Sequence, residues 1–494
     1  MAVSRFVVLP GDNRFNFRMH SRSLDLFSGG GMAMAGGGGG GGIPPGLLGR
    51  VLGRIGVPEA LLVALDDKNR LAFQRQYPGL RVVEEGTAQM AMMTRQLLPI
   101  DTGGMATAGA RKLFTVKVID PAGKALKKVR VTVLTDLATD PPTGAEVVAD
   151  AKGIARFPLP SRTKIVRVLA EQDRGYWASS WKNSSSRHPA SVTLVCRPID
   201  PAVPDGLRRL HPSGTPTDGA GVTVAVIDGG ASHPSLNVAE GVNLTEGESE
   251  TNWADNGIGH GTHVAGIIAA QPGDHRPAGL APGVRLLVYR VYAKGSTRTG
   301  SFAVSRAIRR AVDEGADLIN LSLTLDGDVS LTEREIKRAR AQGALCVAAA
   351  GNTADAVRFP ARFPSVAAVA AIGVRDGWPK EAHEFDMRSS PKAKGHRTLG
   401  VAAFSCHGPE VDFAAPGVGV VSLMPKNAIG SMNGTSMAAP AVTGLVARKL
   451  GANPDVLGAD RDQARSDAIL TLAMEVARSI GLPSKYEGHG VLSG

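Results

Sequence analysis

Asp228, His260 and Ser436 are the residues of this chain whose types and settings could do covalent chemistry. Ser436 stands in Asn433-Gly434-Thr435-Ser436-Met437-Ala438-Ala439-Pro440, where the following small apolar residues predict a helix over 437–447 that starts at the serine. A hydroxyl at a helix start faces free N–H groups and the positive end of the helix dipole, which favour developing negative charge. Pro440 reads as a first-turn proline, where a missing N–H costs little. His260 opens His260-Gly261-Thr262-His263-Val264-Ala265-Gly266, an apolar helix entered through glycine, and Asp228 ends an apolar strand 32 residues earlier. A serine hydroxyl is not ionised near neutral pH, so a histidine must take its proton during attack and return it to the leaving amine. The aspartate would hold the imidazole tautomer and offset its charge; the reaction is acyl transfer to serine, then hydrolysis. Each residue also has a plainer reading. Asp228 can be a turn residue or cap, and Ser436 an N-cap. His260 and His263 could hold a metal, though no His-Glu-x-x-His and no third ligand accompany them. His263 reads better as a buried structural histidine.

These side chains need a frame. Residues 222–227 form a nearly continuous apolar strand, and shorter apolar strands are expected at 284–292, 316–322, 343–350 and 366–372. Helices are expected between several of them, at 301–314 and 331–342. Strand and helix alternating this way predicts an α/β domain over 206–494, a parallel sheet with helices on both faces. Such sheets put chemistry at strand ends and helix starts, where Asp228, His260 and Ser436 fall.

The order Asp, His, Ser and the three local sequences Val226-Ile227-Asp228-Gly229-Gly230, Gly259-His260-Gly261-Thr262-His263 and Gly434-Thr435-Ser436-Met437-Ala438 resemble the subtilisin-like serine peptidases. The resemblance covers about residues 206–494 and implies a subtilisin-like fold and serine endopeptidase activity; no cofactor is expected, and no metal, because the histidines lack a third ligand and Ser235 is not acidic. In Val347-Ala348-Ala349-Ala350-Gly351-Asn352 it makes Asn352 the oxyanion-hole donor, beside the backbone N–H of Ser436. Ser322, Leu323 and Thr324 resemble the strand edge that pairs with substrate backbone, Thr324 replacing a usual glycine. Gly351 and Arg358 fall near the primary specificity pocket, where Arg358 would favour an acidic residue before the cleaved bond, unless it is a surface arginine. Gly229 stands where the family commonly has a hydroxyl residue. Ser235 stands where an acidic calcium ligand is often found, which argues against a strong calcium site there. Residues 71–90 resemble the end of a subtilase inhibitory propeptide, so the chain's partners would be protein or peptide substrates and its own propeptide, with self-cleavage near residues 90–95. A catalytically silent subtilase-like binding protein is the alternative.

Upstream the chain changes character three times. Residues 1–42 end in a glycine run and read as a flexible tail. Residues 43–95 read as a small α+β unit: a helix carrying Leu47, Leu48, Val51, Leu52 and Ile55, then strand, helix and strand at 60–65, 68–77 and 80–84. Residues 110–198 alternate at period two and predict a small antiparallel β-sandwich for spacing or recognition. The 494-residue chain carries 43% hydrophobic residues and a net charge of +11. Its basic residues are dispersed without interleaved aromatics, which argues against a nucleic-acid partner. No stretch approaches the roughly 18 apolar residues of a membrane span. Three distant cysteines and no visible signal peptide favour the cytoplasm, with export by another route open.

Overall fold

The computed structural model describes residues 4–10, 51–55, 60–76, 80–93, 98–99, 111–136, 143–160, 163–172, 174–183, 190–273, 276–380 and 382–493. The catalytic-type region is built on a nine-stranded sheet. Its parallel part runs Val238–Asn243, Arg285–Arg290, Thr223–Asp228, Leu318–Leu321, Leu345–Ala349 and Val366–Val374, and Phe413–Pro416 also pairs parallel with the last of these. Leu399–Ala402 and Arg388–Lys392 extend it antiparallel at one edge.

Side-chain alternation explains why both sheet faces are covered. Val224 and Val226 point to one face, where His260–Ala269 and Thr435–Gly451 pack. Ala225 and Ile227 point to the other, against Ser301–Asp313 and Ser330–Ala341. Each fully buried Val or Ile contributes roughly 1.5–3 kcal/mol, so both layers are needed to hold the strand ends in place.

The N-terminal unit departs from its sequence reading in two ways. Ser4–Pro10, within the stretch expected as tail, is an inner strand of a four-stranded sheet, lying antiparallel between Ala60–Leu65 and Leu80–Glu84. Phe6 and Val8 bury against Leu61, Val63 and Phe73, which an apolar Phe-Val-Val-Leu strand can do and a tail cannot. Val51–Ile55, expected as helix, is the edge strand beside Ala60–Leu65. Glycine and β-branched residues are poor helix formers, and pairing decided the state. Leu47, Leu48 and the glycine run lie outside the described residues. The helix Asp67–Gln76 and the strand Leu80–Glu84 lie within a residue of expectation.

The β-rich unit has two sheets around one core, five strands in one and three in the other. It is not wholly antiparallel as expected: Ser191–Val195 runs parallel to Arg111–Ile119, and Leu98–Pro99 parallel to Thr143–Gly144 at the edge of the five-stranded sheet. Period-two patterning reveals which face is buried but not strand direction.

Candidate active site

Asp228 is the last residue of Thr223–Asp228, and its carboxylate meets the His260 ring at the first position of His260–Ala269. The Nδ1 atom of His260 lies 2.8 and 2.9 Å from the two Asp228 oxygens, so Nδ1 carries the proton and Nε2 is left unprotonated. The Gly229 N–H donates to Asp228 Oδ1 at 2.6 Å. Both side chains are buried. Tyr292 is buried nearby, and burial, followed by the negative Asp228, pushes its phenol well above the usual range.

His263 plays a different part. Its Nε2–H donates to the carbonyls of Val420 at 3.0 Å and Gly430 at 3.3 Å, and burial pushes its pKa down to about 3. It is neutral near pH 7 and ties His260–Ala269 to the hairpin Val420–Met424 and Ala428–Met432. The described residues contain no cluster of three metal-ligating side chains. Ser235 accepts a hydrogen bond from the Arg276 guanidinium, a cation that disfavours calcium at the same spot.

Ser436 is the second residue of Thr435–Gly451, not the first. Pro440 therefore falls in the second turn, where the missing N–H is one the helix would have used. The carbonyl deprived of it is that of Ser436, and the Ser322 hydroxyl donates to it instead at 2.9 Å. The Ser436 hydroxyl in turn donates to the Ser322 carbonyl at 2.9 Å. His260 Nε2 makes no hydrogen bond among the described residues.

Asn352 follows the strand Leu345–Ala349. Its Oδ1 accepts from the Thr435 N–H and hydroxyl, both at 2.9 Å, while the Gly351 N–H donates to the same hydroxyl at 3.1 Å. This fixes the amide so that Nδ2 points outward beside the Ser436 N–H. Both donors converge on one atom, the carbonyl oxygen of Ala91, at 2.5 Å from Asn352 Nδ2 and 3.1 Å from Ser436 N.

Ala91 ends an extended segment that threads the cleft. Thr87–Met90 lies antiparallel between Leu323–Asp326 and Arg298–Gly300, with Met90 opposite Leu323, Gln89 opposite Thr324 and Ala88 opposite Leu325. The Ala91 N–H donates to the Ser322 carbonyl at 3.1 Å, and beyond the carbonyl the Met93 N–H donates to Asn433 at 2.9 Å. Gly434 is required by this passage: its φ is +152°, and a Cβ there would stand 2.5 Å from Ala91 O.

The N-terminal unit is anchored beside the cleft. Buried Glu85 meets the first turn of Ser301–Asp313, accepting from the Phe302 N–H at 3.3 Å and from Arg5 at 2.6 Å. A Cβ on Gly300 would collide with that carboxylate at 1.9 Å. Burial raises the Glu85 pKa, with Arg5 opposing the shift.

Arg358 lies against Gly351, whose Cβ would meet Arg358 Cγ at 2.7 Å, and its guanidinium is paired with Asp326. The sequence reading placed Arg358 near the pocket but missed this counter-charge. It also stopped the cleft-bound segment at Met90, one residue short of the carbonyl that matters. A small residue inside Met90-Ala91-Met92-Met93 was the only available signal.

Residues 219–490, more than half the chain, match the family model described as the subtilase family. The chain belongs to the subtilase family. This subtilase is 36% identical over 277 residues to a thermostable alkaline protease of Halalkalibacterium halodurans, covering 56% of the chain and 66% of that relative. It is 37% identical over 243 residues to subtilisin DY of Bacillus licheniformis, covering 48% of the chain and 79% of the relative. To subtilisin Savinase of Lederbergia lenta it is 35% identical over 261 residues, covering 51% and 86%. The subtilase thus spans just under two thirds of the thermostable alkaline protease. Its β-rich unit lies outside the matched family region.

Proposed function

We propose that this subtilase is a serine endopeptidase made as a self-inhibited precursor, with residues up to Ala91 as its inhibitory propeptide. The observation that carries the reading is the Ala91 carbonyl, which receives the Asn352 amide and the Ser436 N–H at once, as a scissile carbonyl would. The relatives' names, which say protease and subtilisin, support the same reaction.

The chemistry then follows from the neighbours. Ser436 Oγ leaves the Ser322 carbonyl, turns to His260 Nε2 and attacks Ala91 C while the imidazole takes its proton. Asp228, buried and bonded to Nδ1, stabilises the imidazolium. Asn352 and the Ser436 N–H take the oxyanion's charge. The Ala91–Met92 C–N bond breaks as His260 protonates the Met92 amine, and water hydrolyses the acyl-enzyme.

Substrates would bind as Thr87–Met90 does, extended and backbone-paired with Leu323–Asp326. Asp326 pairs with the Arg358 guanidinium and so offsets the charge that would favour an acidic residue before the cleaved bond. None of the described helices is long and apolar enough to cross a membrane. All three cysteines are free and buried, which supports the proposal that the protein works in the cytoplasm; cell fractionation tests it.

The deciding experiment compares wild type with Ser436→Ala. Wild type should shorten by a cut between Ala91 and Met92, read by intact mass, and should label with a fluorophosphonate at Ser436. Ser436→Ala should stay full length and unlabelled. Wild type that neither shortens nor labels would leave a silent binding protein as the reading.

A further inference from the structure

Asn256 stands four residues before His260 and is buried, and each of its polar groups is engaged. Its backbone N–H donates to the Gly229 carbonyl at 2.8 Å, and its own carbonyl accepts from the Gly295 N–H at 2.8 Å. In the side chain, Oδ1 accepts from the Ile258 N–H at 3.2 Å, while Nδ2 donates to the carbonyls of Ala293 at 3.1 Å and Ser296 at 2.9 Å. An amide offers an acceptor and two donors on one short stem; an ionised carboxylate offers acceptors alone.

These partners belong to three pieces of the site. Gly229 follows Asp228. Ile258 leads into His260, through a turn that Asp255 also braces: its carboxylate accepts from the Gly257 and Gly259 N–H groups at 2.9 Å each and from the Thr262 hydroxyl at 2.7 Å. The third piece, residues 293–297, runs into the edge strand Arg298–Gly300 that pairs with Thr87–Gln89, and the Thr297 carbonyl accepts the Met90 N–H at 3.1 Å. Met90 and Asn256 also meet over Gly229, where a Cβ would stand 3.0 Å from both Met90 Cε and Asn256 Oδ1.

We propose that Asn256 is a positioning residue that ties the acyl-side edge of the cleft to the loops carrying Asp228 and His260, so that backbone pairing at the Met90 position speeds the chemical step as well as tightening the grip on substrate. The proposal rests on the endopeptidase reading above. Asn256 acts through its neighbours. A chain seated on Thr297 holds residues 293–297 still, and Asn256 passes that constraint to Gly229 and Ile258. The orientational freedom of the Asp228–His260 pair is then given up on binding rather than during attack, which is how binding energy remote from the cut bond enters kcat.

The test uses the full chain after self-cleavage and two chromogenic anilides of Thr-Ala-Gln-Met-Ala. One has every amide; the other has the Gln–Met amide replaced by an ester and so lacks the N–H that Thr297 receives. The variants are Asn256→Ala and Asn256→Asp, the second keeping an acceptor for Ile258 while losing both donors to residues 293–297. Fluorophosphonate labelling of Ser436 counts the active sites in each protein. In wild type the ester should lower kcat itself roughly 2- to 10-fold, the worth of one neutral hydrogen bond. In both variants kcat should be the same for amide and ester, with the difference left in KM. Comparing two substrates within each protein cancels whatever the substitution does to folding or to the triad at large. A wild-type effect confined to KM, or the same kcat ratio in wild type and variants, would overturn the tie while leaving the endopeptidase reading intact. Wild type that cuts neither substrate and takes up no fluorophosphonate would overturn both.

Discussion

Asn352→Ala should slow self-cleavage without unfolding the protein. The Ala91 carbonyl oxygen has two donors, and this substitution removes the shorter bond, 2.5 Å, leaving the Ser436 N–H at 3.1 Å. A hydrogen bond to a charged group contributes about 1.5–3 kcal/mol. At about 1.4 kcal/mol per decade, losing it from the transition state slows the step about 10- to 150-fold. The loss measured for an oxyanion-hole asparagine of a subtilisin, about 10²–10³, extends that range upward and is borrowed, not worked out from this chain. The side chain also orients Thr435 through two accepted bonds, so a second variant separates the effects. Asn352→Asp keeps the acceptor for Thr435 but puts a negative charge where the amide was, and should be at least as slow. Thr435→Val keeps the amide and removes one orienting bond, and should be slowed less. The assay is the first-order conversion of full-length chain to the 92–494 product, followed by gel and confirmed to be independent of protein concentration. Asn352→Ala processing within threefold of wild type, with a native circular dichroism spectrum, would refute the donor role.

Asp326→Asn frees the Arg358 guanidinium, and a peptide library should then show a gain for Glu or Asp before the cleaved bond that Arg358→Gly abolishes; an unchanged profile would make Arg358 a surface residue. Ala88 is fully buried between two strands, so Ala88→Arg buries an unpaired charge; a 1–91 fragment carrying it should inhibit the cut enzyme about 10²-fold more weakly than the native fragment. Ser322→Ala removes the hydroxyl that serves the Ser436 carbonyl and should cost about 1–3 kcal/mol in urea unfolding of Ser436→Ala protein, with Pro440→Ala restoring part of it. Burial pushes the Glu384 pKa from 4.5 up to about 7. The group is therefore harmless below about pH 4.5, stability falls as pH rises between there and about 7, and the loss levels off above; about 3 kcal/mol is its upper size. Glu384→Gln should flatten that part of the urea-midpoint profile, and an unaltered slope would assign it elsewhere.

The frame of the catalytic region was legible because its signals are local. An apolar strand ending in aspartate, a glycine-entered helix opened by histidine and a small-residue helix carrying serine each state their own geometry. The structure sets Asp228 against His260, and Asn352 beside the Ser436 N–H, from positions far apart in sequence. What stayed hidden depended on pairing between distant segments. Ser4–Pro10 looks like a tail until Ala60–Leu65 and Leu80–Glu84 close on both its edges. Val51–Ile55 showed a helical period that an edge strand overrode. Asp326 carries no motif and gains meaning only as the counter-charge of Arg358. Pro440 was read one turn too early because helix starts cannot be fixed to a residue from sequence, and the Ser322 hydroxyl that compensates for it lies 114 residues before the Ser436 carbonyl it serves.

On the proposed endopeptidase reading, the ladder that grips Thr87–Met90 on both edges would also decide which proteins this cleft can accept. A visiting chain must give up its own secondary structure over the seven positions that Thr87 to Met93 now fill, about 23 Å of extended backbone. A loop or frayed terminus does so at almost no cost, whereas a helix or inner strand must first open locally. If opening costs 3 kcal/mol, cleavage slows about 150-fold before any side chain is read. If the chain is the endopeptidase proposed above, its cleft would sort proteins by how readily they come apart, and damaged or unassembled chains would be cut ahead of intact ones carrying the same sequence.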